Sequence, residues 1–175
     1  RRLSRGRGRP APGSWLAWAT RTPAATCWPP VLICFSRHPD QLAARAAELG
    51  DHVAAASPAH AVEHADVVML AVPWGAIDQA LEEVGSLAGK VVLDATNQFG
   101  AGPKPADGQT AAEFNSARMP GARYVRGFNT LTSGFQAEAA NRPEADRAVQ
   151  WVSGDDGDAK AEGMGLNCDA GYVTN

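Results

Sequence analysis

Four short polar segments carry residue types that can do chemistry, and each closes a run of apolar residues. Ser36-Arg37-His38-Pro39 follows residues 31–35, and Pro73-Trp74 follows residues 67–72. Asp94-Ala95-Thr96-Asn97 follows residues 91–93, and Gly127-Phe128-Asn129-Thr130 ends a run that begins at Tyr124. Arg37 beside Ser36 suits the 2′-phosphate of NADP, because a guanidinium chelates phosphate through paired N–H groups. An acid at that place, the end of the second strand of a dinucleotide-binding fold, selects NAD instead. The same two residues also serve as a solvated loop arginine and a helix-capping serine, and the residues alone leave both readings open. Pro73 stiffens the turn after Val72, so backbone groups there can line a ribose or nicotinamide site, with Trp74 either beside it or packed inward. Thr96 and Asn97 can hydrogen-bond a ribose or a carboxamide, and they equally form turns that need no ligand. Phe128 and Asn129 carry the same two readings.

Other constellations are weaker. His60 and His64 stand four apart on one helix face and can clasp a metal. No third ligand is evident and Glu63 does not complete HExxH, so they read as surface histidines and no metal site is assigned. Asp155, Asp156 and Asp158 lack the later glutamate of a calcium loop and read as helix-capping acids. Cys34 lies mid-strand as an inert buried thiol. No nucleophile elbow or Ser/His/Asp order is present, and no catalytic acid or base is named. Hydride transfer between two rings needs none, because the fold supplies position and a dry pocket.

The elements that must position these loops alternate. Apolar runs at 31–35, 67–72 and 91–93 read as buried strands, with weaker ones at 52–56, 124–128 and 149–152. Asp40 caps a helix ended by Gly50, with Leu42, Ala46 and Leu49 on one face. Ser57-Pro58 opens a short helix that runs to Ala65. Residues 74–87 are amphipathic through Ile77, Leu81 and Val84. Thr110 caps a helix over 111–119, and Asp155 or Asp156 caps a last helix near Ala159. Alternating strands and helices predict an α/β fold, a Rossmann-like doubly wound parallel sheet, incomplete at both ends. Ligands of such sheets bind at the carboxyl ends of the strands.

The chain has 175 residues, 45% hydrophobic and 20% charged, which is one domain's worth of core. No apolar run approaches the ~20 residues of a membrane span. Three cysteines without CxxC spacing argue against a disulfide scaffold or zinc site and for a reducing cytoplasm. Residues 1–30 hold six arginines and no acid, so residues 31–175 carry 10 basic and 19 acidic residues. That acidic balance argues against nucleic-acid partners. Residues 1–30, rich in Arg, Pro and Trp, show no helical or strand period. They read as an atypical segment: a transit leader, a twin-arginine remnant, a nucleic-acid tail, or a stretch translated out of frame. With G/C-ending codons, Thr26 to Pro30 shifted by two bases reads Leu-Leu-Ala-Ala-Gly, a helix end closed by glycine. Residues 31–175 form the domain proper, truncated at its C-terminus.

Taken together, the segments "FSRHPDQLAARAAELG", "ADVVMLAVPWGAIDQAL", "LAGKVVLDATNQFG", "GARYVRGFNTL" and "VSGDDGDAKAE" resemble the NADP-dependent oxidoreductases that use a deazaflavin coenzyme, coenzyme F-420. The five occur in family order across residues 35–162. The resemblance implies a Rossmann domain that binds NADP(H), with Ser36 and Arg37 on the 2′-phosphate. It also implies Val72 and Pro73 along the nicotinamide, and the Asn97 and Asn129 loops around a stacked deazaflavin ring. The expected cofactor-binding set is therefore Ser36, Arg37, Val72, Pro73, Trp74, Thr96, Asn97, Phe128 and Asn129. The expected partners are a small-molecule cofactor and acceptor, with a homodimer as the candidate assembly and no nucleic acid or membrane. The sequence departs from the family at the opening strand and GxGxxG turn, which it lacks, at Gln98 where proline is common, and at its early end. These departures keep an alternative in view: an inactive fragment of such a domain that binds no dinucleotide. A pyrroline-carboxylate or metal reductase domain is a third option, disfavoured because its helical second domain does not fit this length.

Overall fold

The computed structural model describes residues 17–20, 32–35, 39–51, 53–139 and 142–174. Eight strands and six α-helices are described. In chain order they are β1 (Ala17–Thr20), β2 (Leu32–Phe35), α1 (Pro39–Leu49), β3 (Val53–Ala55), α2 (Pro58–Glu63), β4 (Val67–Leu70), α3 (Ile77–Val84), β5 (Val91–Asp94), α4 (Ala111–Ala117), β6 (Arg123–Arg126), α5 (Ser133–Ala139), β7 (Val149–Gln150), α6 (Gly157–Asp169) and β8 (Val173–Thr174). Short 3₁₀ turns cover Trp74–Ala76 and Glu144–Asp146.

Six strands make one sheet in the order β3-β2-β1-β4-β5-β6. The pairs β2–β3, β4–β5 and β5–β6 are parallel, as the alternating pattern requires. β7 and β8 form a separate two-stranded ribbon. Strand alternation sends apolar side chains to both faces. Val68, Leu70 and Val92 meet Leu42 and Ala46 of α1, Ala61 and Val62 of α2, and Ile77 and Val84 of α3. Val67, Val91, Leu93 and Val125 face the other way, where Ala159 of α6 packs. Full burial of each such valine, leucine or isoleucine is worth about 1.5–3 kcal/mol, so the two layers hold the strand ends, and hence the site loops, at fixed positions.

Several boundaries follow from local chemistry. Ser57 caps α2 by accepting from the His60 N–H, with Pro58 at the first helical position. Thr110 and Glu113 form a capping box on α4, and Asp156 caps α6 through the Ala159 N–H. Gly50 takes φ 104° just past α1, a conformation open to a residue without a Cβ.

Five expectations are corrected. α1 takes in Pro39, whose missing N–H costs nothing in a first turn, so Asp40 stands inside that turn and not at the cap. Leu49 is 37% exposed and not part of the core face. The helix expected from Trp74 begins as a 3₁₀ turn, and α3 starts at Ile77. The strand expected over 124–128 is β6 and stops at Arg126. Residues 17–20 form a strand where no period was evident, and it fills the central slot of the sheet antiparallel to both neighbours. Four residues are too few to show a period. A slot flanked by unpaired ladder groups of β2 and β4 stabilises any extended stretch that enters it. The sheet is thus parallel apart from its centre.

Candidate functional site

The carboxyl ends of β2, β4, β5 and β6 share one edge of the sheet, and the loops leaving them are the candidate site. Ser36 and Arg37, after β2, lie outside the described residues. After β4, Val72 packs against the core beneath and Pro73 precedes the 3₁₀ turn. Trp74 turns inward: it is 2% exposed, donates from Nε1 to the Pro103 carbonyl at 2.6 Å, and stacks on Phe114 with centroids 5.9 Å apart. The Arg118 guanidinium lies 5.7 Å from the indole centre and 4.7 Å from the Phe114 ring. Gly75 permits the loop over residues 97–109 to close on this turn, because a Cβ there would sit 2.5 Å from the Ala101 carbonyl oxygen. Trp74 therefore supports its loop from inside.

After β5, Asp94 is fully buried and its carboxylate is surrounded by donors. The Thr96 N–H donates to it at 2.7 Å, Asn115 Nδ2 at 2.7 Å, and the Tyr124 hydroxyl completes the set. Burial, followed by the Asp94 charge, pushes the Tyr124 hydroxyl pKa far up, so it stays a donor. Thr96 is 2% exposed, and its hydroxyl accepts from Asn115 at 3.2 Å. Asn97 reaches across, donating from Nδ2 to the Asn129 carbonyl at 2.7 Å.

The β6 loop is tied to the β5 loop by Arg126. Its Nη2 donates to the Thr96 carbonyl at 2.7 Å, and Nη1 stands 4.0 Å from Asp94 Oδ2. The Asn129 amide, with its oxygen turned toward Arg126, accepts from Nη2 at 2.7 Å and from Nε at 3.2 Å. Phe128 takes φ 58°, unusual for a residue with a Cβ and costing about 1–3 kcal/mol. Surrounding bonds hold it there. Gln136 of α5 donates to the Phe128 and Leu131 carbonyls, and the Phe128 ring meets Tyr172 edge-on at 5.9 Å.

The structure thus brings Thr96, Asn97, Phe128 and Asn129 into one linked pair of loops, with Val72 and Pro73 on the neighbouring strand end. Sequence reasoning named Asp94 only as part of its loop and missed Asn115, Tyr124, Arg126 and Gln136; these five residues lock the pair. The available signal was an acid closing the run Val-Val-Leu-Asp, a strand buried throughout, and a cation closing Arg-Tyr-Val-Arg, a strand in which Val125 alone is buried. A cavity of about 510 Å³ opens beside β6, lined among others by Thr110, Glu113, Ser116, Tyr124, Ser153 and Asp156, and none of the described residues expected to hold cofactor lines it. No helix among the described residues is long and apolar enough to cross a membrane.

The fit to a dinucleotide is divided. In the β5 and β6 loops the Asn97 and Asn129 amides and the Thr96 and Asn129 carbonyls bond one another and Arg126, at the carboxyl ends of the strands where ligands of such sheets bind. The pyrophosphate half needs a parallel central strand running into a helix N-terminus. β1 runs the opposite way, so its carboxyl end lies at the far edge, and no such strand-to-helix turn stands at the centre among the described residues.

A family model described as NADP oxidoreductase, coenzyme F420-dependent, matches residues 24–98. A hypothetical protein, SMa0349 of Sinorhizobium meliloti, shares 30% identity at a TM-score of 0.69, over 79% of this chain and 68% of its own. The chain belongs to the coenzyme F420-dependent NADP oxidoreductase family. A protein of this family type from Arthrobacter sp. FB24, called an F420-dependent NADP-reductase, is 27% identical at a TM-score of 0.58 over 70% of this chain. An imine reductase from Aspergillus terreus, solved with NADPH4 bound, is 25% identical at 0.54 over 81%. The chain spans 59% and 44% of those two proteins. No curated protein sequence matches the chain.

Proposed function

We propose that this chain binds NADP(H) and serves, in the cytoplasm, an oxidoreductase that passes hydride between the nicotinamide and a deazaflavin-type acceptor. The observation that carries the reading is the joined pair of loops after β5 and β6, held by Asn97 on Asn129 and by Arg126 on both. Family membership and the NADPH4 complex of the imine reductase support the nicotinamide cofactor. The deazaflavin acceptor rests on the family description and on the name of the Arthrobacter protein.

In this reading Val72 and Pro73 border the nicotinamide ribose, and Asn97 and Asn129 border the ring where the acceptor stacks. Thr96 and Trp74 act from below, fixing loop backbones so that carbonyls and N–H groups keep their positions. Ser36 and Arg37 hold the 2′-phosphate. The nicotinamide and the acceptor ring supply the hydride chemistry when bound, and the chain's part is to align them and keep water out.

Fluorescence titration of the purified protein with NADPH and NADH tests this. Saturable NADPH binding is expected, and Arg37→Ala should weaken NADPH roughly tenfold or more, the worth of a charge-assisted phosphate contact, while NADH changes little. Equal loss for both cofactors sinks the role of Arg37. One observation favours a second reading, a domain that keeps the family architecture without cofactor binding: the antiparallel β1 leaves the pyrophosphate without its usual helix. Absence of saturable binding by either cofactor selects that second reading.

A further inference from the structure

We propose that His60, Glu63 and His64 form a surface site for a borderline transition-metal dication such as Zn²⁺, at the edge of the sheet opposite the cofactor loops. The three residues each offer one ligand atom, and these atoms lie within 4.8 Å of one another. Glu63 Oε2 stands 3.9 Å from His60 Nδ1 and 4.0 Å from His64 Nδ1. The two imidazoles sit side by side, with ring centroids 4.3 Å apart. Tetrahedral zinc with bonds of ~2.0–2.2 Å needs donors roughly 3.4 Å apart. From at most 4.8 Å, three exposed side chains close the remaining gap, roughly 1.4 Å or less, by rotamer adjustment alone.

Two features make this more than a chance meeting of surface groups. His64 Nδ1 lies 3.0 Å from the His60 carbonyl, an acceptor, so Nδ1 is the donor and Nε2 is the nitrogen left for a metal; the 4.0 Å separation from Glu63 Oε2 belongs to the occupied Nδ1 and is not a ligand distance. That is the arrangement of metal-binding histidines, whose second nitrogen donates to a carbonyl or carboxylate. The base beneath is rigid. Ser57 caps α2, Ala61 and Val62 are buried, and the Lys90 ammonium donates to the Glu63 and Ala65 carbonyls at 3.2 and 2.7 Å. Lys90 thereby satisfies the end of α2 and places its charge on backbone, not on the Glu63 carboxylate. Two imidazoles and one carboxylate favour zinc, nickel or copper over magnesium or calcium, and water completes the fourth position.

The location follows from the topology. Residues 65 and 66 lead from α2 into the start of β4, and Lys90 precedes β5, so the cluster sits at the amino ends of these strands. The cofactor loops leave the carboxyl ends. Metal binding here is therefore independent of the proposed oxidoreductase role, and the two are tested separately.

The test is zinc competition against a chromogenic chelator, with the full-length chain stripped of metal beforehand. One equivalent of Zn²⁺ is expected, with Mg²⁺ giving no competition. His60→Gln and His64→Gln should each lower zinc affinity roughly tenfold or more, and the double variant should lose the equivalent, with the circular dichroism spectrum unchanged. Glu63→Gln should lower it severalfold. Zinc binding that survives the double histidine variant, or no zinc binding at all, overturns the site. Indifference to Glu63→Gln overturns the three-ligand arrangement.

Discussion

At the scale of single residues, Asp94 governs the candidate site without facing any ligand. A buried carboxylate is tolerable only when donors surround it, and here a backbone N–H, an amide and a phenol do so. Removing one donor leaves the others in place, whereas removing the acid strands all of them. Tyr124→Phe should therefore cost roughly 1–3 kcal/mol, and Asp94→Ala about 3–5 kcal/mol, in urea unfolding at neutral pH. If Asp94→Ala unfolds at the wild-type urea midpoint, the network does not hold the fold. This level was half legible in the sequence. Thr96, Asn97 and Asn129 were found because short polar residues after an apolar run mark a strand end, and Phe128 because it shares the Asn129 loop. Asn115 and Tyr124 were not, because nothing in their neighbouring residues records a partner twenty or thirty positions away.

At the scale of elements, local signals carried well wherever the energy is itself local. The Ser57-Pro58 start and the Thr110/Glu113 capping box involve atoms within one turn, so three or four letters suffice to see them. α5, with the sequence Ser-Gly-Phe-Gln-Ala-Glu-Ala, is capped by Thr132, whose hydroxyl accepts from the Phe135 N–H at 3.3 Å, a local signal that was present but unused, and β7 and β8 are two residues each, below any readable period. The start of α6 combines a local and a distant interaction. Asp156 caps the helix and also receives Arg123 at 2.8 and 3.0 Å from β6. The hydrogen bond from Arg123, then that from the Ala159 N–H, holds the Asp156 carboxyl far below its ordinary 3.8. A carboxyl whose folded pKa is depressed adds stability above its unfolded pKa, and that stability is lost as pH falls through the folded value. Asp156→Asn keeps the cap and loses the charge. The variant should unfold at lower urea than wild type at neutral pH, and the gap should shrink once pH drops below about 3.8. A gap that stays constant with pH would mean that the carboxylate's charge contributes nothing. The effect should be modest, because both side chains are about one-third exposed.

At the scale of the whole molecule, the antiparallel β1 joins the β3–β2 pair to the β4–β5–β6 triplet. Trp18 pairs with Cys34 on one side and Met69 on the other. Trp18→Pro removes a ladder donor and rigidifies the strand, at about 1–3 kcal/mol for each buried hydrogen-bonding group left unpaired. Thermal unfolding should lose height and cooperativity together, and an unchanged single transition would show that the two halves do not depend on β1. The parallel arrangement of the other strands was legible from their alternation with helices. The direction of β1 was not, because strand polarity depends on how the chain returns to an open slot, and no residue type encodes that return.

The bridge between Arg126 and Ser153 has a consequence for self-association. The two residues exchange both backbone hydrogen bonds, at 2.7 and 2.9 Å, along the outer side of β6. Together with Arg123 reaching out to Asp156, this covers the border strand with the chain's own backbone and with charge. An exposed border strand is a template on which a neighbouring molecule can add its own strand. Here that template is already taken, so a second copy cannot prolong the sheet past β6 without first displacing the segment that leads into α6. Strand-by-strand growth from the β6 side is thereby hindered at Arg126, where the segment around Ser153 already occupies the ladder.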